Sequence, residues 1–439
     1  YAVTRQRPLL PKIALLPVLL VLLAGATACG STPAQDSPSP GEPAPTVTVP
    51  IPLPITISLA GNFSRERLAA LDALIARYEA IHSEVRVEVV RAPKDSIQRR
   101  AWIRERLDDE DTSLDIYLLD ATWPAELAAA GHLTPLEELA EALGIAQTAF
   151  LPGMAEANEL QGNLVALPWA ADAGLLYYRS DLLEEYGYDA PLTWAQLQSA
   201  ASDVKEGGGP AQGYVWQGVA SENLTCNTLE HIWSRGESPP HEDDRFVFDS
   251  PQTRTALEQM LELVESGTSP SDIANYDEGS SLATFLRGDA LFMRHWAGAW
   301  EYVNSQESPV IGRVGVAALP SSCLGGQSLA LSIYSQHPDQ ALQFMAFLSG
   351  YEQQIHMARE ASQPPVLAAA YEDTTLLGHF QLLEALSNTL AHAKPRPALV
   401  EYAQISEAVY TEVNRMLAGR QDAETTAVNV QQRIDVILD

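Results

Sequence analysis

The sequence is poor in cysteine and in positive charge. It has three cysteines, with no CxxC and no Cys/His spacing typical of zinc, so no metal site is expected. Its 439 residues carry 27 Lys and Arg against 57 Asp and Glu. A chain of that charge repels nucleic acid and anionic lipid headgroups, so neither is expected as a partner. The sequence contains no P-loop, HExxH or nucleophile-elbow motif, and we expect no cofactor.

Long hydrophobic runs are also scarce, and the clearest one predicts an export signal at residues 1–28. Three basic residues precede an apolar stretch over residues 13–24, which is too short to cross a bilayer comfortably. Small residues 26–28 then lead into Cys29, as in a bacterial lipobox. In such signals the cysteine is lipidated, so we expect a lipid anchor at Cys29. A plain cleaved signal with an incidental cysteine is the alternative.

The segment after the signal is predicted to be a tether, covering residues 29–54. Eight prolines lie among Ser, Thr, Gly and acidic residues between positions 30 and 54, a composition that favours an extended spacer. Without the signal, 24 basic and 57 acidic residues remain, a net charge of −33. About 385 residues are left for the folded body, enough for two lobes of ordinary size.

The remaining two cysteines fit an exported protein. With Cys29 lipidated, Cys226 and Cys323 form an even pair in an oxidising compartment. We therefore expect a disulfide between them. Two separate buried thiols are the alternative.

Strand and helix patterns alternate along the body and predict an α/β fold. In the first part, apolar strand patterns at residues 55–60, 85–90 and 114–119 alternate with helix patterns at 64–81 and 97–107. Thr193 is a predicted N-cap, and the last hundred residues are mainly helical. Such alternation predicts open sheets, whose ligands bind beyond the carboxyl ends of the strands.

Polar and aromatic side chains in the loops after strands are the candidates for binding. A sugar offers hydroxyl groups to carboxylates and guanidinium groups, and C–H faces to aromatic rings. Each residue alone also has an ordinary structural role, as a cap, a turn or part of the core. The candidates are Asn62, Asp120, Asp172, Glu222 and Arg396 for hydrogen bonds, and Trp123, Trp169 and Trp296 for stacking.

Several stretches resemble one known family across nearly the whole body. They read LDIYLLDATWPAELAAAGHLTPL (114–136), LVALPWAADAGLLYYRSDLL (164–183), GYVWQGVASENLTCNTLE (213–230), FMRHWAGAW (292–300) and KPRPALVEYAQIS (394–406). This order of motifs is similar to that of family 1 extracellular solute-binding proteins of ABC sugar importers, in their trehalose/maltose-binding branch.

The resemblance implies a two-lobed fold of the periplasmic-binding-protein type II. Each lobe is expected to be an open sheet flanked by helices, with a mainly helical C-terminal third. We place the N-lobe at residues 55–167 plus 290–325 and the C-lobe at residues 168–289 plus 326–439. The ligand is expected in the cleft between the lobes, with Asp120 and Trp296 acting from the N-lobe.

The resemblance also implies roles for individual residues. Asp120 and Asp172 match the family's two sugar carboxylates, and Trp296 matches an aromatic wall. Arg396 matches a guanidinium clamp. Further expected contacts lie in the first strand–helix loop, around a Gly-Gly motif and three residues before the T-C-N-x-L-E stretch, at Asn62, Gly325, Gly326, Gln327 and Glu222.

Two departures from the family pattern bear on the ligand. Gln327 follows Gly325 and Gly326 where an aromatic residue is usual, and Ala170 also replaces an aromatic residue. Loss of two rings predicts a roomier or more polar cleft. The exact sugar therefore stays open.

The resemblance implies a monomeric, non-enzymatic protein that captures a small oligosaccharide, of trehalose or maltose type, outside the cytoplasm. The ligand would then pass to the permease subunits of an ABC importer. One alternative is a glycoside-acting enzyme that uses Asp120 and Asp172 as its carboxylate pair. A binding protein for a non-sugar polyol is another.

Overall fold

The computed structural model describes residues 53–137, 144–236, 241–242, 245–377 and 382–439. The predicted signal, lipidated Cys29 and nearly all of the tether lie outside them. The described residues belong to one compact unit, Pro52–Asp439. Its strands are β1 (Ile55–Gly61), β2 (Val85–Arg91), β3 (Ile116–Asp120), β4 (Glu159–Leu160), β5 (Asn163–Leu164), β6 (Leu167–Ala173), β7 (Leu175–Arg179), β8 (Gln212–Val215), β9 (His241–Glu242), β10 (Arg245–Phe246), β11 (Ala290–His295), β12 (Val314–Ala318) and β13 (Leu324–Leu331).

Helices surround the strands, and several begin at side chains that cap the first turn. Thr193 Oγ1 accepts a hydrogen bond from Gln196 N (3.2 Å), which confirms the predicted cap. The helices are α1 (Arg65–Ile81), α2 (Ser96–Asp108), α3 (Pro124–Ala129), α4 (Pro152–Glu156), α5 (Ser180–Tyr186), α6 (Trp194–Glu206), α7 (Glu222–Trp233), α8 (Pro251–Glu265), α9 (Glu278–Leu286), α10 (Ala299–Val303), α11 (Pro338–Leu348), α12 (Tyr351–Ala361), α13 (Thr374–Leu377), α14 (Leu382–Leu390), α15 (Tyr402–Leu417) and α16 (Ala423–Leu438). None of these described helices is both long and apolar enough to span a bilayer.

The first sheet has the strand order β2-β1-β3-β13-β6. Strands β1, β2 and β3 run parallel, whereas β13 runs antiparallel to both β3 and β6. Side chains from α1 and α11 pack on this sheet and form one hydrophobic core with Leu59, Leu329 and Trp169. Because β1 and β3 are parallel neighbours, the loops after them lie at the same edge of this sheet.

The second sheet has the order β12-β7-β11-β8. Strand β7 is antiparallel to both of its neighbours, and β11 is parallel to β8. Helices α7, α8, α15 and α16 pack together around a core that includes Trp216 and Phe292. The chain passes from the first sheet to the second at Gly174 and returns through residues 319–323. The two sheets are thus joined by short crossing segments, as in the predicted two-lobed fold.

The strand pairing corrects the predicted lobe limits. Strands β11 and β12, at 290–318, were expected in the N-lobe but pair with β7 and so belong to the second sheet. Strand β13, expected in the C-lobe, inserts between β3 and β6 of the first sheet. The limits 55–167 plus 290–325 and 168–289 plus 326–439 are therefore wrong at both of these segments. Trp296 accordingly follows a strand of the second sheet, and Asp172 lies in the first.

Candidate functional site

The carboxyl ends of β1 and β3 place two predicted residues at one sheet edge. Asn62 follows β1, and Asp120 is the last residue of β3. Asp120 Oδ1 accepts hydrogen bonds from Thr122 N (3.2 Å) and Thr122 Oγ1 (3.0 Å), which fix the turn after the strand. The carboxylate is thereby aimed past the sheet edge, where ligands of α/β proteins bind.

Arg396 approaches this edge from the loop before α15. Its loop is held against the crossing segment, because Leu324 N donates to Lys394 O (2.8 Å) and Lys394 N donates to Ser322 O (2.9 Å). The Arg396 side chain is only 3% exposed. Its Nη2 lies 3.5 Å from Asp120 Oδ1, and its Nη1 donates to Glu222 Oε1 at 2.8 Å. One buried guanidinium group therefore contacts a carboxylate from each lobe, Asp120 on β3 and Glu222 on α7.

Glu222 is the first residue of α7, where the positive end of the helix dipole favours a carboxylate. Its oxygens also accept hydrogen bonds from Tyr402 Oη (2.6 Å) and Ser406 Oγ (2.5 Å). Tyr402 and Ser406 lie one turn apart on α15, so they reach the same carboxylate. Burial, reinforced by Glu222, raises the pKa of Tyr402 well above its ordinary value. We call Asp120, Glu222, Arg396, Tyr402 and Ser406 the Arg396 cluster.

Trp296 forms a wall beside the Arg396 cluster and is held from two sides. Its Nε1 donates to Asn223 Oδ1 (2.7 Å), next to Glu222 at the start of α7. The guanidinium of Arg294 lies 4.1 Å from its ring centroid. Arg294 is itself fixed by a fully buried ion pair with Glu230 (2.7 Å). The ring is partly exposed and has a fixed orientation, as a stacking surface for a sugar requires.

Asp172 lies beside Trp296, near the crossing segments. Its Oδ1 accepts hydrogen bonds from Ala173 N (2.8 Å) and from Ala297 N (2.9 Å), so the carboxylate joins β6 to the residue after Trp296. Burial raises the pKa of Asp172 to about 6, although these two amides oppose the shift.

At the predicted Gly-Gly motif, the absence of side chains allows Trp296 and the backbone of β6 to pack closely against β13. Gly325 lies opposite Asp172, and a Cβ atom there would come within 2.8 Å of Trp296 Cζ3. Gly326 has φ +135°, and its Cβ would lie 2.4 Å from the carbonyl oxygen of Ala170. Neither position therefore accepts a side chain without a shift.

Gln327 continues this strand toward the Arg396 cluster. It is directly opposite Asp120 on β3 and Ala170 on β6. Its buried Oε1 has no hydrogen-bond partner among the described residues, and the same holds for Nε of Arg396. Both atoms therefore keep unused hydrogen-bonding capacity, as do buried side-chain atoms elsewhere, such as Tyr78 Oη and Trp233 Nε1.

The structure distinguishes Trp296 from two other predicted aromatic residues. Trp123 is 7% exposed and packs in the core with Leu119 and Leu127. Trp169 is fully buried beneath Arg67, whose guanidinium lies 5.1 Å from its ring. Both rings are therefore core residues of the first lobe, which contradicts the predicted stacking of a ligand on either of them. Asn62 makes no hydrogen bond with the Arg396 cluster in the described part of the chain.

Cys226 and Cys323 are brought together, as thiols and not as a disulfide. Both are buried, and their sulfur atoms lie 2.9 Å apart. The two buried thiols are thus neighbours, whereas the alternative from sequence placed them apart. The disulfide itself stays a prediction.

Sequence reasoning missed Asn223, Tyr402 and Arg99. The guanidinium of Arg99 lies 5.5 Å from the Trp123 ring centroid, and burial lowers its pKa while Asp120 opposes that shift. Asn223 directly follows the predicted Glu222, so its position in the sequence could have suggested it. Tyr402 and Ser406 are four residues apart on one helix face, so their spacing could have suggested them as a pair. Arg99 is on the outer part of α2, and nothing in the local sequence relates it to Asp120.

Two α/β lobes joined by short crossing segments, with acidic, guanidinium and indole groups between them, define a solute-binding protein. The comparisons agree: the family described as bacterial extracellular solute-binding protein matches residues 63–355. The chain belongs to this family, and membership indicates a location outside the cytoplasm.

Individual relatives narrow the class. A probable ABC transporter-binding protein of Deinococcus radiodurans is 33% identical over 350 residues, covering 76% of this chain and 82% of the relative. The maltose-bound structure of MalE3 from T. maritima is 33% identical with a TM-score of 0.79, covering 87% of this chain and 99% of that one. A solute-binding protein from Thermotoga lettingae bound to α-D-tagatose has a TM-score of 0.77 at 21% identity, covering 88% and 100%, and shows the fold alone. The chain is accordingly an extracellular solute-binding protein of the kind that serves ABC transporters.

Proposed function

We propose that this chain captures a small oligosaccharide of trehalose or maltose type in the cleft between its lobes and delivers it to an ABC permease. The main support is the position of Arg396, whose buried guanidinium contacts Asp120 on β3 of the first lobe and Glu222 on α7 of the second. Ligand hydroxyls that bind to both carboxylates would draw the lobes together. The 33% identity to a maltose-bound protein supports the sugar class.

Each group in the proposed cleft has a role in sugar recognition. Carboxylates of Asp120, Asp172 and Glu222 accept hydrogen bonds from hydroxyls, and Arg396 donates them. Trp296 stacks against an apolar sugar face, and the missing side chain at Gly325 allows the indole to pack close to β13. Gln327 replaces a stacking contact by an amide, which favours a ligand with more hydroxyl groups at that position.

A polyol is the second candidate. Structures bound to ribitol and D-mannitol share this fold with TM-scores of 0.72 and 0.71, at 21% and 18% identity. The unpaired Oε1 of Gln327 is an observation in its favour, because it offers a polar contact where a ring would bind a sugar face.

We further propose that the protein acts outside the cytoplasm as a monomer, held to the membrane by lipid on Cys29. It is not an enzyme under this proposal. Asp172 Oδ1 is already bound by two backbone amides, which suits a structural and ligand-binding carboxylate better than a nucleophile.

A thermal-shift panel tests the proposal. Trehalose, maltose, longer maltodextrins, ribitol and mannitol are each added to the full protein, and the Tm is compared with that of the ligand-free protein. A disaccharide that raises the Tm and is recovered intact supports the proposal. A shift with polyols alone favours the second candidate, and release of monosaccharides favours the enzyme.

A further inference from the structure

The two buried thiols lie where the crossing segment meets the Arg396 cluster. Cys226 follows Glu222 by four residues on α7, so both project from the same helix face. Cys323 precedes Leu324 in the segment that returns the chain to the first sheet. The carbonyl oxygen of Leu324 accepts a hydrogen bond from Arg396 Nη2 at 3.4 Å. Each cysteine is thus close in sequence to one acceptor of Arg396.

The neighbourhood of Cys323 is otherwise held by hydrogen bonds. Cys323 N donates to Glu230 Oε1 (3.1 Å), and the same oxygen accepts from Arg294 Nη2 (2.7 Å). The sulfur atoms, 2.9 Å apart, already face each other within this frame. The folded structure can therefore accommodate an S–S bond here without a large rearrangement.

We propose that Cys226 and Cys323 are oxidised to a disulfide during export, and that this bond anchors the crossing segment to α7 and so positions the Arg396 cluster. The two thiols lose two protons and two electrons as the S–S bond forms. A protein or small-molecule disulfide of the export compartment accepts both by thiol–disulfide exchange and becomes two thiols.

The reaction takes place before the two side chains are buried. In the folded protein both sulfur-bearing residues are 0% exposed, and burial raises the pKa of Cys226 well above its usual value. The thiolate is the attacking species in exchange. The folded thiol pair is therefore slow to react, and once formed the disulfide is protected from reductants.

Peptide mapping tests the modification without any sugar. The full chain is exported to an oxidising compartment, unfolded in an alkylating reagent without reductant, digested and analysed by mass spectrometry. We expect one peptide pair joined through Cys226 and Cys323 that separates on reduction. Recovery of both cysteines as separately alkylated peptides would overturn the proposal. Because each cysteine is identified by its own peptide, Cys29 does not affect the result.

Thermal unfolding tests the anchoring role. Refolding of the unfolded protein in reductant, which keeps both cysteines as thiols, should lower the Tm of the wild-type protein by roughly 3–6 °C. It should leave the Tm of the double variant Cys226→Ala, Cys323→Ala unchanged. A joined peptide without any Tm change in the wild type would overturn the anchoring role, and this measurement does not require that the double variant folds.

Sugar affinity gives a third readout that rests on the proposed function. We expect the double variant, or the protein refolded with its thiols blocked, to bind the sugar about three- to tenfold more weakly, since Glu222 and Leu324 are no longer tied together. Equal affinity would overturn the positioning role. If the wild type binds no sugar, the proposed function fails, whereas the mapping and the Tm still decide on the disulfide.

Discussion

At the scale of single residues, Arg396 carries a charge that is almost completely buried. A buried charge is stable only when it is paired and hydrogen-bonded. Asp120 and Glu222 supply the pairing, and Tyr402 and Ser406 in turn fix Glu222. The cluster therefore forms one connected unit in which a change at Arg396 affects both sheets.

Replacement of Arg396 tests this unit. We expect Arg396→Ala to weaken sugar binding by about 1.5–3 kcal/mol, because charge-assisted hydrogen bonds are lost. Arg396→Lys should recover only part of this loss, since an ammonium group cannot contact two carboxylates as a planar fork does. Calorimetric titration provides the measurement, and Arg420→Ala, at an exposed site, is the control. Wild-type affinity in Arg396→Ala would exclude the arginine from the site.

The raised pKa of Asp172 predicts a pH dependence of stability. Its folded pKa of about 6 exceeds the value of roughly 3.9 in an unfolded chain. The folded state thus holds this proton more tightly, and its stabilising contribution is lost as the pH rises from about 4 to 6. Asp172→Asn keeps the acceptor oxygen but cannot titrate. Between pH 4 and 7 the wild type should lose about 1–2 kcal/mol relative to this variant, because partial solvent exposure reduces the full effect.

Denaturant unfolding at several pH values measures that difference. The control is Asp109→Asn, at an exposed carboxylate after α2. Parallel stability profiles of the wild type and Asp172→Asn would show that Asp172 titrates as an ordinary surface aspartate.

Residue chemistry was the part of the site that sequence could best predict. As ligand contacts, Asp120, Arg396 and Trp296 stay predictions, but the structure does bring Asp120 and Arg396 within 3.5 Å of each other. The exposure of each ring could not be predicted, since Trp123 and Trp169 are covered by neighbours distant in sequence, such as Arg67. Arg99 was missed for the same reason.

At the scale of elements, the first turn of α7 holds two residues of the proposed site, Arg396 and Trp296, in place. Glu222 contacts Arg396, and the adjacent Asn223 fixes the indole of Trp296. Two consecutive residues of one helix thus set both the charged and the aromatic part of the site. Both residues lie in the first turn of α7, where the backbone N–H groups have no acceptor within the helix and favour a nearby carboxylate.

Asn223 provides a test of how the aromatic wall is held. Asn223→Ala removes the acceptor for Trp296 Nε1 and should cost about 0.5–1.5 kcal/mol of sugar-binding free energy. Asn223→Asp retains an acceptor oxygen and should restore most of the affinity. Both are measured by calorimetric titration. Equal affinities in the wild type and Asn223→Ala would show that the indole needs no support from α7.

Strand β13 provides a second test at this scale. Gly325→Ala places a methyl group against Trp296 and Asp172, and we expect it to destabilise the fold by about 1–3 kcal/mol and to weaken sugar binding. Gly298→Ala is the matched control, because its Cβ would meet nothing within 4 Å and its φ is −59°. Denaturant unfolding of the two variants measures the difference. Equal stability would contradict the close approach at Gly325.

Element types were predicted well, whereas their partners were not. The helix at 65–81 and the strands at 55–61 and 85–91 follow from local apolar periodicity. Most of strand β13 was assigned to the wrong lobe, because its local sequence (LGGQSLAL) does not indicate which sheet it joins. Residues 319–323 lead the chain from the second sheet back to the first, and β13 then pairs between β3 and β6.

At the scale of the whole molecule, the chain connects the two lobes through Gly174 and residues 319–323. In the described residues, the Arg396 cluster adds charged contacts between the lobes. A ligand that binds both halves favours the arrangement in which they approach, by as much as its affinity for the two arrangements differs. Asp120 and Gln327 lie on strands of the first sheet, whereas Glu222 begins α7 and Trp296 follows β11 in the second lobe. Under the proposed function, a single ligand would therefore contact both lobes.

A crystal structure with the disaccharide that raises the Tm most is the most direct test of this account. We predict that the sugar lies between the two sheets, with hydroxyl groups bonded to Asp120, Glu222 and Arg396 and one ring face against Trp296. A sugar bound elsewhere, or held by one sheet alone with Arg396 and Trp296 untouched, would contradict the central claim.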